Sequence, residues 1–227
     1  MKGVEIEHRK SKIENPLRLL VTAGPTREYV DAVRFLSNAS SGRMGCAIAR
    51  AALARGHEVV LVCGPIEVEP PQGGRVRRVV TTAEMLAACV EELAGADAVV
   101  MAAAPADFQP AERIRGKIRK ERETLTLELV RTPDILGELA RRRTAQVLVG
   151  FALEAEDLVA RARRKLAAKS LDLIVANSPD AIGAERSTAH FLSPDGRIET
   201  LGGEPKEAIA ERLVRIVESL VTERRRT

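Results

Sequence analysis

Aromatic residues are rare in this sequence of 227 residues, where Phe, Tyr and Trp together make up 2% and Trp is absent. Single-stranded nucleic acids are bound by stacking their bases on such side chains, so a base-stacking protein is disfavoured. The formal net charge of +4 is also too small to indicate a nucleic-acid partner. No apolar run approaches the ~20 residues that span a bilayer, which excludes an integral membrane protein.

Cysteine is limited to Cys46, Cys63 and Cys89, which lie in apolar surroundings without a C-x-x-C spacing. This pattern supports neither a disulfide framework nor a zinc site, so we expect reduced core thiols. The first 16 residues are charged and lack the apolar core of a signal peptide, which predicts a cytoplasmic protein. We interpret residues 1–16 as a polar lead-in or linker remnant, followed by a single α/β domain over residues 17–227.

Short runs of Val, Leu and Ile are abundant and alternate with longer segments of helical period. Such alternation is typical of βαβ units and predicts a Rossmann-like α/β fold, with a mainly parallel sheet flanked by helices. The candidate strands are residues 17–23, 59–63, 76–80, 98–103, 146–150 and 171–176. The candidate helices are residues 43–55, 83–94, 133–142, 158–169 and 207–221. Gly56 follows the first helix, where a glycine favours helix termination.

Two segments depart from this alternation. Residues 124–130 (TLTLELV) alternate polar and apolar side chains, and residues 188–201 read as a hairpin around Pro194-Asp195-Gly196. We therefore expect antiparallel strands added to the parallel sheet, with residues 112–130 forming an arm or flap that projects from the main body. The terminal run TERRRT predicts a solvated, frayed end rather than a nucleic-acid contact.

The segment after the first strand is the most informative candidate site, because open parallel sheets bind ligands beyond the carboxyl ends of their strands. It contains Arg27, Arg34, Ser40, Ser41 and Gly42 and leads into the first helix. Ser and Gly at a helix N-terminus leave backbone N–H groups free for phosphate, and arginines can add bidentate contacts. A loop held by a serine cap, with solvated arginines, is the alternative.

This segment is not the ordinary dinucleotide-binding fingerprint. That motif joins strand to helix through a tight G-x-G-x-x-G turn and requires an acidic residue at the end of the second strand. Here the connection is far longer, and the second strand ends at Cys63-Gly64-Pro65. An NAD(P)-binding or nucleotide-sugar-binding oxidoreductase on a similar fold is therefore a weaker hypothesis, and a noncatalytic nucleic-acid-binding protein is a third.

Four further charged residues are candidates for the same site. Asp107 comes just after a strand end, where a carboxylate binds a metal ion or a nucleotide hydroxyl, or accepts hydrogen bonds within a turn. Lys117 lies in a glycine-preceded segment that either closes over an anionic reactant or is a basic loop. Lys165 and Lys169 share one helix face, and such a pair of like charges favours a polyphosphate partner.

Six motifs occur in the order VTAGPTREYVDAVRFLSNASSGRMG, AAAPADFQP, GKIRK, LVRTPDIL, VGFALEAED and KLAAKSLDLIVAN, from about residue 17 to 177. Together they closely resemble the phosphopantothenate–cysteine ligase family, the synthetase half of the bifunctional bacterial coenzyme A biosynthesis protein. Six collinear motifs are far more specific than any one alone. Pro25, Pro105 and Phe108 depart from the residues that are usual in that family.

The resemblance implies a two-step ligation. The carboxylate of 4′-phosphopantothenate would attack the α-phosphate of CTP in the presence of Mg²⁺, giving an acyl-cytidylate and pyrophosphate. The amino group of cysteine would then displace CMP. The resemblance also implies a homodimer, with residues 124–130 as part of the contact, and no flavin in this chain. A flavin-dependent decarboxylase domain, to which the chain is fused or from which it is excised, is a further expected partner.

The resemblance assigns roles to individual residues by motif. Asn38 would polarise the acyl group, and Lys117 would sit on the flap that closes over the intermediate. The substrate region would comprise Arg27, Arg34, Ser40, Ser41 and Gly42. The nucleotide would be bound by Met101, Ala102, Ala103, Asp107, Lys117, Pro133, Asp134, Ile135, Leu136, Phe151, Lys165 and Lys169. Asp107 is also the candidate metal ligand.

Overall fold

The computed structural model describes residues 15–119, 123–181 and 183–226. Its strands are β1 (Arg18–Ala23), β2 (Arg27–Tyr29), β3 (Phe35–Ser37), β4 (Glu58–Cys63), β5 (Arg75–Arg78), β6 (Ala98–Met101), β7 (Phe108–Pro110), β8 (Leu129–Arg131), β9 (Val147–Leu153), β10 (Leu173–Asn177), β11 (Arg186–Leu192) and β12 (Ile198–Pro205). Its α-helices are α1 (Arg43–Ala54), α2 (Thr82–Leu93), α3 (Ile135–Arg142), α4 (Leu158–Ala168) and α5 (Lys206–Arg224). The predicted lead-in lies outside the described residues except for Asn15 and Pro16, which are exposed.

Eight strands form one sheet in the order β12-β11-β10-β9-β6-β1-β4-β5. Neighbouring strands from β10 to β5 are parallel, whereas β11 and β12 are antiparallel additions at one edge. Every residue of β6 is buried, which agrees with a central parallel strand covered on both faces. The Rossmann-like α/β fold and the hairpin of β11 and β12 are therefore confirmed.

Helices cover both faces of the sheet. α1 and α5 pack on one face, where Ile48 and Leu213 are fully buried. α2, α3 and α4 pack on the other face, where Met85 and Leu139 are fully buried. The three cysteines are buried free thiols, as expected, and burial raises the pKa of Cys63 to about 12. None of the described helices is long and apolar enough to cross a membrane.

α1 and α5 lie side by side and run in the same direction. Near their C-terminal ends, Arg55 donates to both carboxylate oxygens of Glu218 at 2.7 Å. The Nδ1 atom of His57 accepts the Leu17 N–H, so its Nε2 carries the hydrogen that Glu218 accepts at 2.7 Å. Because the two helices are parallel, their N-terminal ends also meet, at the carboxyl edge of the sheet.

Residues 124–130 differ from the predicted strand. Only β8 pairs, antiparallel to β7, and the residues before β8 form no strand. Leu125 and Leu129 are exposed, so the apolar residues of this segment have no core to face in the described chain. Alternation specifies a strand strongly only where one side is buried. Conversely, the long polar connection after β1 contains the short hairpin of β2 and β3, which the sequence did not predict.

The basic C-terminus is paired rather than frayed. α5 extends to Arg224, whose guanidinium pairs with Asp172, and Arg225 donates to Asp97 at 2.7 Å. Asp97 and Asp172 directly precede β6 and β10, so these contacts fasten the end of α5 to the amino edge of the sheet. The prediction of a frayed end was wrong for these two arginines, although Arg225 is exposed as expected. That prediction used the charge of the run alone, and the carboxylates that pair with it are distant in sequence.

Asp172→Ala should destabilise the fold. The Asp172 carboxylate accepts the Leu148 N–H at 2.7 Å and pairs with Arg143 and Arg224, and 12% of its side chain is exposed. Its removal leaves two guanidinium groups without this carboxylate, so we expect the free energy of unfolding to fall by about 3 kcal/mol. Urea denaturation measures the change. Glu199→Ala, which breaks an exposed ion pair, is the control and should cost less than about 1 kcal/mol; equal losses would contradict the prediction.

Candidate active site

A cleft of about 810 Å³ lies at the carboxyl ends of the parallel strands. Its walls come from the loop before α1, the loop after β6, the start of α3, the end of β9, Lys165 of α4 and Lys169, which directly follows α4. This is the edge at which an open parallel sheet binds ligands. The predicted site residues in its lining are Asn38, Ser40, Ser41, Gly42, Met101, Ala102, Ala103, Asp107, Pro133, Asp134, Ile135, Leu136, Phe151, Lys165 and Lys169.

The first turn of α1 forms one end of the cleft. Gly42 precedes α1 at φ +82°, a left-handed conformation that glycine adopts without strain, and no side chain caps the helix. A Cβ atom on Gly45 would lie 2.6 Å from Thr22 O, so only glycine lets α1 begin this close to the end of β1. The uncapped N–H groups and the positive end of the helix dipole favour an anion here.

Two cations lie at the same end of the cleft, because α1 and α5 begin side by side. Arg43 opens α1, Lys206 opens α5, and both line the cleft. Lys206 is 7% exposed, and its Nζ donates to Ala181 O at 2.9 Å. Burial, followed by the charge of Arg43, lowers the pKa of Lys206 below its ordinary value. Since cations at helix N-termini also oppose the helix dipoles, this end of the cleft is electropositive.

Lys165 of α4 and Lys169, the C-cap residue of that helix, line the cleft. Lys165 Nζ donates to Phe151 O at 2.6 Å, and Lys169 Nζ donates to Asp134 Oδ1 at 2.7 Å. Burial, followed by the Lys169 charge, lowers the pKa of Lys165. Burial raises the pKa of Asp134, but hydrogen bonds from Lys169 and the Gly137 N–H outweigh it and leave that pKa below its ordinary value. Asp134 thus supplies part of the negative charge that this lysine pair requires.

Asn38 connects two walls of the cleft. It is exposed, and its Nδ2 donates to Ala104 O at 3.1 Å and to Pro105 O at 3.0 Å. The side chain therefore ties the loop before α1 to the loop after β6. An amide in this position can donate to a reacting carbonyl oxygen once it releases one of the two backbone carbonyls.

Asp107 is an exposed carboxylate on the wall that follows β6. Among residues 15–119, 123–181 and 183–226, no group of three or more His, Cys, Asp or Glu side chains could hold a metal ion. Mg²⁺ does not need such a group at a nucleotide site, because one or two carboxylates act together with substrate phosphates and waters. Asp107 fits this second kind of site.

Arg27 and Arg34 do not line the cleft. The Arg27 guanidinium lies 4.4 Å from the centroid of the Phe35 ring, which places it in a cation–π contact within the hairpin of β2 and β3. Arg34 donates to Asp31 at 2.6 Å and to Ile118 O at 3.3 Å. Both arginines therefore have contacts that hold this hairpin, and their assignment to substrate binding stays a prediction.

Lys117 also lies outside the cleft lining, and residues 120–122 of the predicted flap lie outside the described residues. Lys117 is exposed beside Ile118, whose N–H donates to the fully buried Asp31 carboxylate at 3.0 Å. That hydrogen bond, opposed by burial and helped by two further backbone N–H groups, lowers the pKa of Asp31 from 3.8 to about 2. The structure therefore does not bring Lys117 together with Lys165 and Lys169.

The lining also contains polar residues that were not predicted from the sequence: Arg43, Arg131, Thr132, Asn177 and Lys206. A signal existed for Lys206, because it follows Pro205 at the start of the last helix, where an acidic residue would be favoured. Asn177 ends β10, and a polar residue at the carboxyl end of a parallel strand is a candidate by position. Its Nδ2 donates to Thr188 O at 3.1 Å, which fixes its side chain against β11.

The parallel sheet, the uncapped start of α1 and the clustered cations define a Rossmann-like α/β protein with an electropositive cleft. Residues 15–220 match the sequence family described as DNA/pantothenate metabolism flavoprotein C-terminal domain. The chain belongs to this family. The resemblance drawn from the six motifs is confirmed by the relatives that follow.

The chain is 46% identical over 167 residues to the coenzyme A biosynthesis bifunctional protein CoaBC of Bacillus subtilis (strain 168), covering 73% of this chain and 41% of that protein. It is 40% identical over 222 residues to a cysteine/cysteine sulfinic acid decarboxylase from an unknown prokaryotic organism, covering 94% and 62%. A crystal structure of the C-terminal domain of a CoaBC protein matches with a TM-score of 0.79 and 34% identity, over 91% of this chain and 96% of that one. The chain thus spans only part of the length of the curated relatives it matches.

Asp31→Asn should remove an acid-dependent part of the stability. Because the pKa of Asp31 is lowered to about 2 in the folded chain, its ionised form stabilises the fold above pH 3.8. This contribution is lost as the pH falls from 3.8 towards 2. We expect the difference in urea midpoint between wild type and variant to be largest at pH 5 and to shrink towards pH 2. A difference that stays constant over this range would contradict the assignment.

Proposed function

We propose that this chain is a phosphopantothenate–cysteine ligase of coenzyme A biosynthesis that uses CTP. Its family supports the proposal, and one structural observation carries it: a cleft bordered by cations from three helices, α1, α4 and α5. CTP and 4′-phosphopantothenate are both anionic, and a cleft with this positive potential would concentrate them. The chain lacks an acidic residue at the end of β4, which ends at Cys63, so the oxidoreductase alternative gains no support there.

In the first step, the carboxylate of 4′-phosphopantothenate attacks the α-phosphate of CTP. The new carboxylate–phosphate bond forms as the bond to pyrophosphate breaks. Attack of an anion on a triphosphate requires charge screening and in-line positioning. We assign the screening to Lys165 and Lys169 on one side and to Lys206 and Arg43 on the other, together with the N–H groups that begin α1.

The nucleotide would lie between the loop after β6 and the start of α3. Met101 to Ala103, Pro133 to Leu136 and Phe151 line this part of the cleft. Asp107 would hold Mg²⁺ together with phosphate oxygens, and the ion would neutralise part of the triphosphate charge. The choice of CTP over ATP rests on the family resemblance and is tested by comparing the two nucleotides.

In the second step, the amino group of cysteine attacks the acyl carbon, and CMP leaves with the bonding electron pair. Negative charge develops on the acyl oxygen during this attack, so a hydrogen-bond donor placed there accelerates the step. We assign that role to Asn38, the exposed amide that connects two walls of the cleft.

We also propose a homodimer. Exposed apolar side chains are grouped on the small antiparallel elements β2–β3 and β7–β8 and on the segment before β8: Val33, Phe35, Phe108, Leu125, Leu129 and Val130. Exposed apolar groups of this kind mark interaction surfaces. The greater length of the curated relatives is consistent with a flavin-dependent decarboxylase domain as a further partner, joined to or cut from this chain.

Pyrophosphate release that requires both CTP and 4′-phosphopantothenate tests the first step, and CMP release on adding cysteine tests the second. A thermal-shift panel of CTP, ATP, NAD⁺ and duplex DNA with Mg²⁺ discriminates the alternatives. We expect the largest stabilisation from CTP, since binding to the native state raises the melting temperature. A larger shift with NAD⁺, without pyrophosphate release, would favour an oxidoreductase.

Asn38→Asp should separate the two steps. The variant replaces the amide donor by a carboxylate next to the Ala104 and Pro105 oxygens. We expect CMP release to slow about 100-fold while pyrophosphate release persists and the acyl-cytidylate accumulates, as measured by quenched-flow chromatography. Asn38→Ala removes the donor without adding a charge and serves as the control for the added charge. Equal slowing of both steps by Asn38→Asp would remove its assignment to amine attack.

Lys165→Gln and Lys206→Gln should each raise the KM for CTP about 10-fold, since each removes a charge-assisted contact to phosphate. Initial-rate kinetics with saturating 4′-phosphopantothenate measure this. Arg215→Gln, an exposed cation of α5 that does not line the cleft, is the control and should leave the KM unchanged. A lysine whose replacement leaves the KM unchanged does not bind the triphosphate.

A further inference from the structure

Residues 104–107 form a wall of the cleft whose backbone groups are bonded to side chains on both sides. Asn38 donates to the carbonyl groups of Ala104 and Pro105. Thr132 donates from Oγ1 to Ala106 O at 2.6 Å. The Thr132 N–H donates to Asp107 O at 3.0 Å. The wall therefore has protein partners for these carbonyls before any ligand arrives.

The Ala106 N–H has different partners, a series of buried hydroxyl groups that do not line the cleft. It donates to Thr26 Oγ1 at 2.9 Å, and Thr26 Oγ1 lies 2.8 Å from Thr82 Oγ1. Thr82 Oγ1 lies 2.7 Å from the Glu28 carboxylate. Thr26 is fully buried, and Thr82 and Glu28 are 1% and 4% exposed.

The number of hydrogens fixes the direction of this chain. A carboxylate only accepts, so the single hydroxyl hydrogen of Thr82 goes to Glu28. The contact between the two hydroxyls must then use the hydrogen of Thr26. Donation therefore runs from the Ala106 N–H to Thr26, from Thr26 to Thr82 and from Thr82 to Glu28. Thr82 Oγ1 also lies 3.5 Å from Ala106 O, a contact too long to compete with the 2.7 Å bond.

Glu28 is suited to end this chain. It also accepts the Thr82 N–H at 2.8 Å, and Thr82 is the first residue of α2. The carboxylate thus lies at the N-terminus of a helix, where the dipole stabilises negative charge. Successive hydrogen bonds in one direction polarise and strengthen one another, so the acceptor at the end acts on the donor at the start.

We infer that Glu28, Thr26 and Thr82 are positioning residues for the reaction: they hold residues 104–107, and through them Asn38, in the geometry that the second step requires. The expected effect on the rate of the second step rests on the proposed function. The expected effect on the order of residues 104–107 rests on the hydrogen bonds alone. None of the three residues lines the cleft. Their effect on a ligand would pass through the wall.

Hydrogen exchange tests the structural consequence without any assumption about activity. Thr26→Val keeps the shape of the side chain and removes both the acceptor for Ala106 and the donor to Thr82. We expect amide exchange in the peptide over residues 102–109 to become about 2- to 10-fold faster in the folded full chain. Thr26→Ser retains the hydroxyl and should exchange like the wild type. Unchanged exchange in Thr26→Val would overturn the inference.

Kinetics test the functional consequence. In Thr26→Val we expect CMP release on cysteine addition to slow about 10-fold, with less change in the KM for CTP, because the displaced wall moves Asn38. Thr26→Ser should restore the rate. Glu218→Gln, which weakens the distant contact between α1 and α5, is the stability control and should lower the melting temperature without changing the ratio of the two steps. If Thr26→Val slows both steps equally, its role is structural only.

Glu28→Gln provides a second variant should Thr26→Val fail to fold. The amide oxygen of the variant can still accept from Thr82, but its NH₂ group finds no acceptor among the Thr26 and Thr82 hydroxyls. We expect changes in the same direction and of smaller size, and wild-type exchange together with wild-type kinetics would overturn the inference. Absence of CTP-dependent pyrophosphate release by the wild type would instead refute the proposed function. The hydrogen-exchange comparison would still decide whether the hydrogen bonds from Ala106 to Glu28 hold residues 104–107 in place.

Discussion

Parallel strand pairing is the constraint on which the rest of this structure depends. Because β1, β6, β9 and β10 run in one direction, the loops that follow them meet at one edge of the sheet. α1 starts there because Gly45 allows it to approach β1, and α5 starts there because it lies parallel to α1. The positive ends of two helices therefore add to the charges of Arg43 and Lys206. A strong local potential arises from the topology even though the net charge is only +4.

The two edges of the sheet use charge in different ways. At the amino edge, carboxylates pair with arginines: Asp172 with Arg143 and Arg224, and Glu92 with Arg18. At the carboxyl edge, Lys169 pairs with Asp134, but Lys206 and Lys165 donate to backbone oxygens, which are weaker partners than carboxylates. A phosphate that binds Lys206 and Lys165 would replace backbone oxygens by a charged acceptor. At the amino edge it would have to displace a carboxylate from an ion pair.

Much of the fold and part of the site follow from local sequence patterns. Buried apolar runs identified the strands of the parallel sheet, and the Ser-Gly segment before α1 identified one end of the cleft. Lys206 was missed because its importance depends on α5 lying beside α1, which no local pattern encodes. Residues 124–130 were assigned to a strand because alternation normally implies a buried side, yet Leu125 is exposed in this chain. Arg34 pairs with Asp31 and does not line the cleft, and its assignment to substrate binding stays a prediction.

The acyl-cytidylate of the proposed reaction would be easily hydrolysed, so its surroundings should offer few free hydrogen-bonding groups to water. The carbonyls of Ala104, Pro105 and Ala106 are already bonded to side chains, which limits the places where water could bind on that wall. In the proposed second step, Asn38 would exchange one of these backbone carbonyls for the acyl oxygen. The wall must hold its shape during that exchange. The hydrogen bonds that run from Ala106 through Thr26 and Thr82 to Glu28 would hold residues 104–107 in place while Asn38 releases a carbonyl.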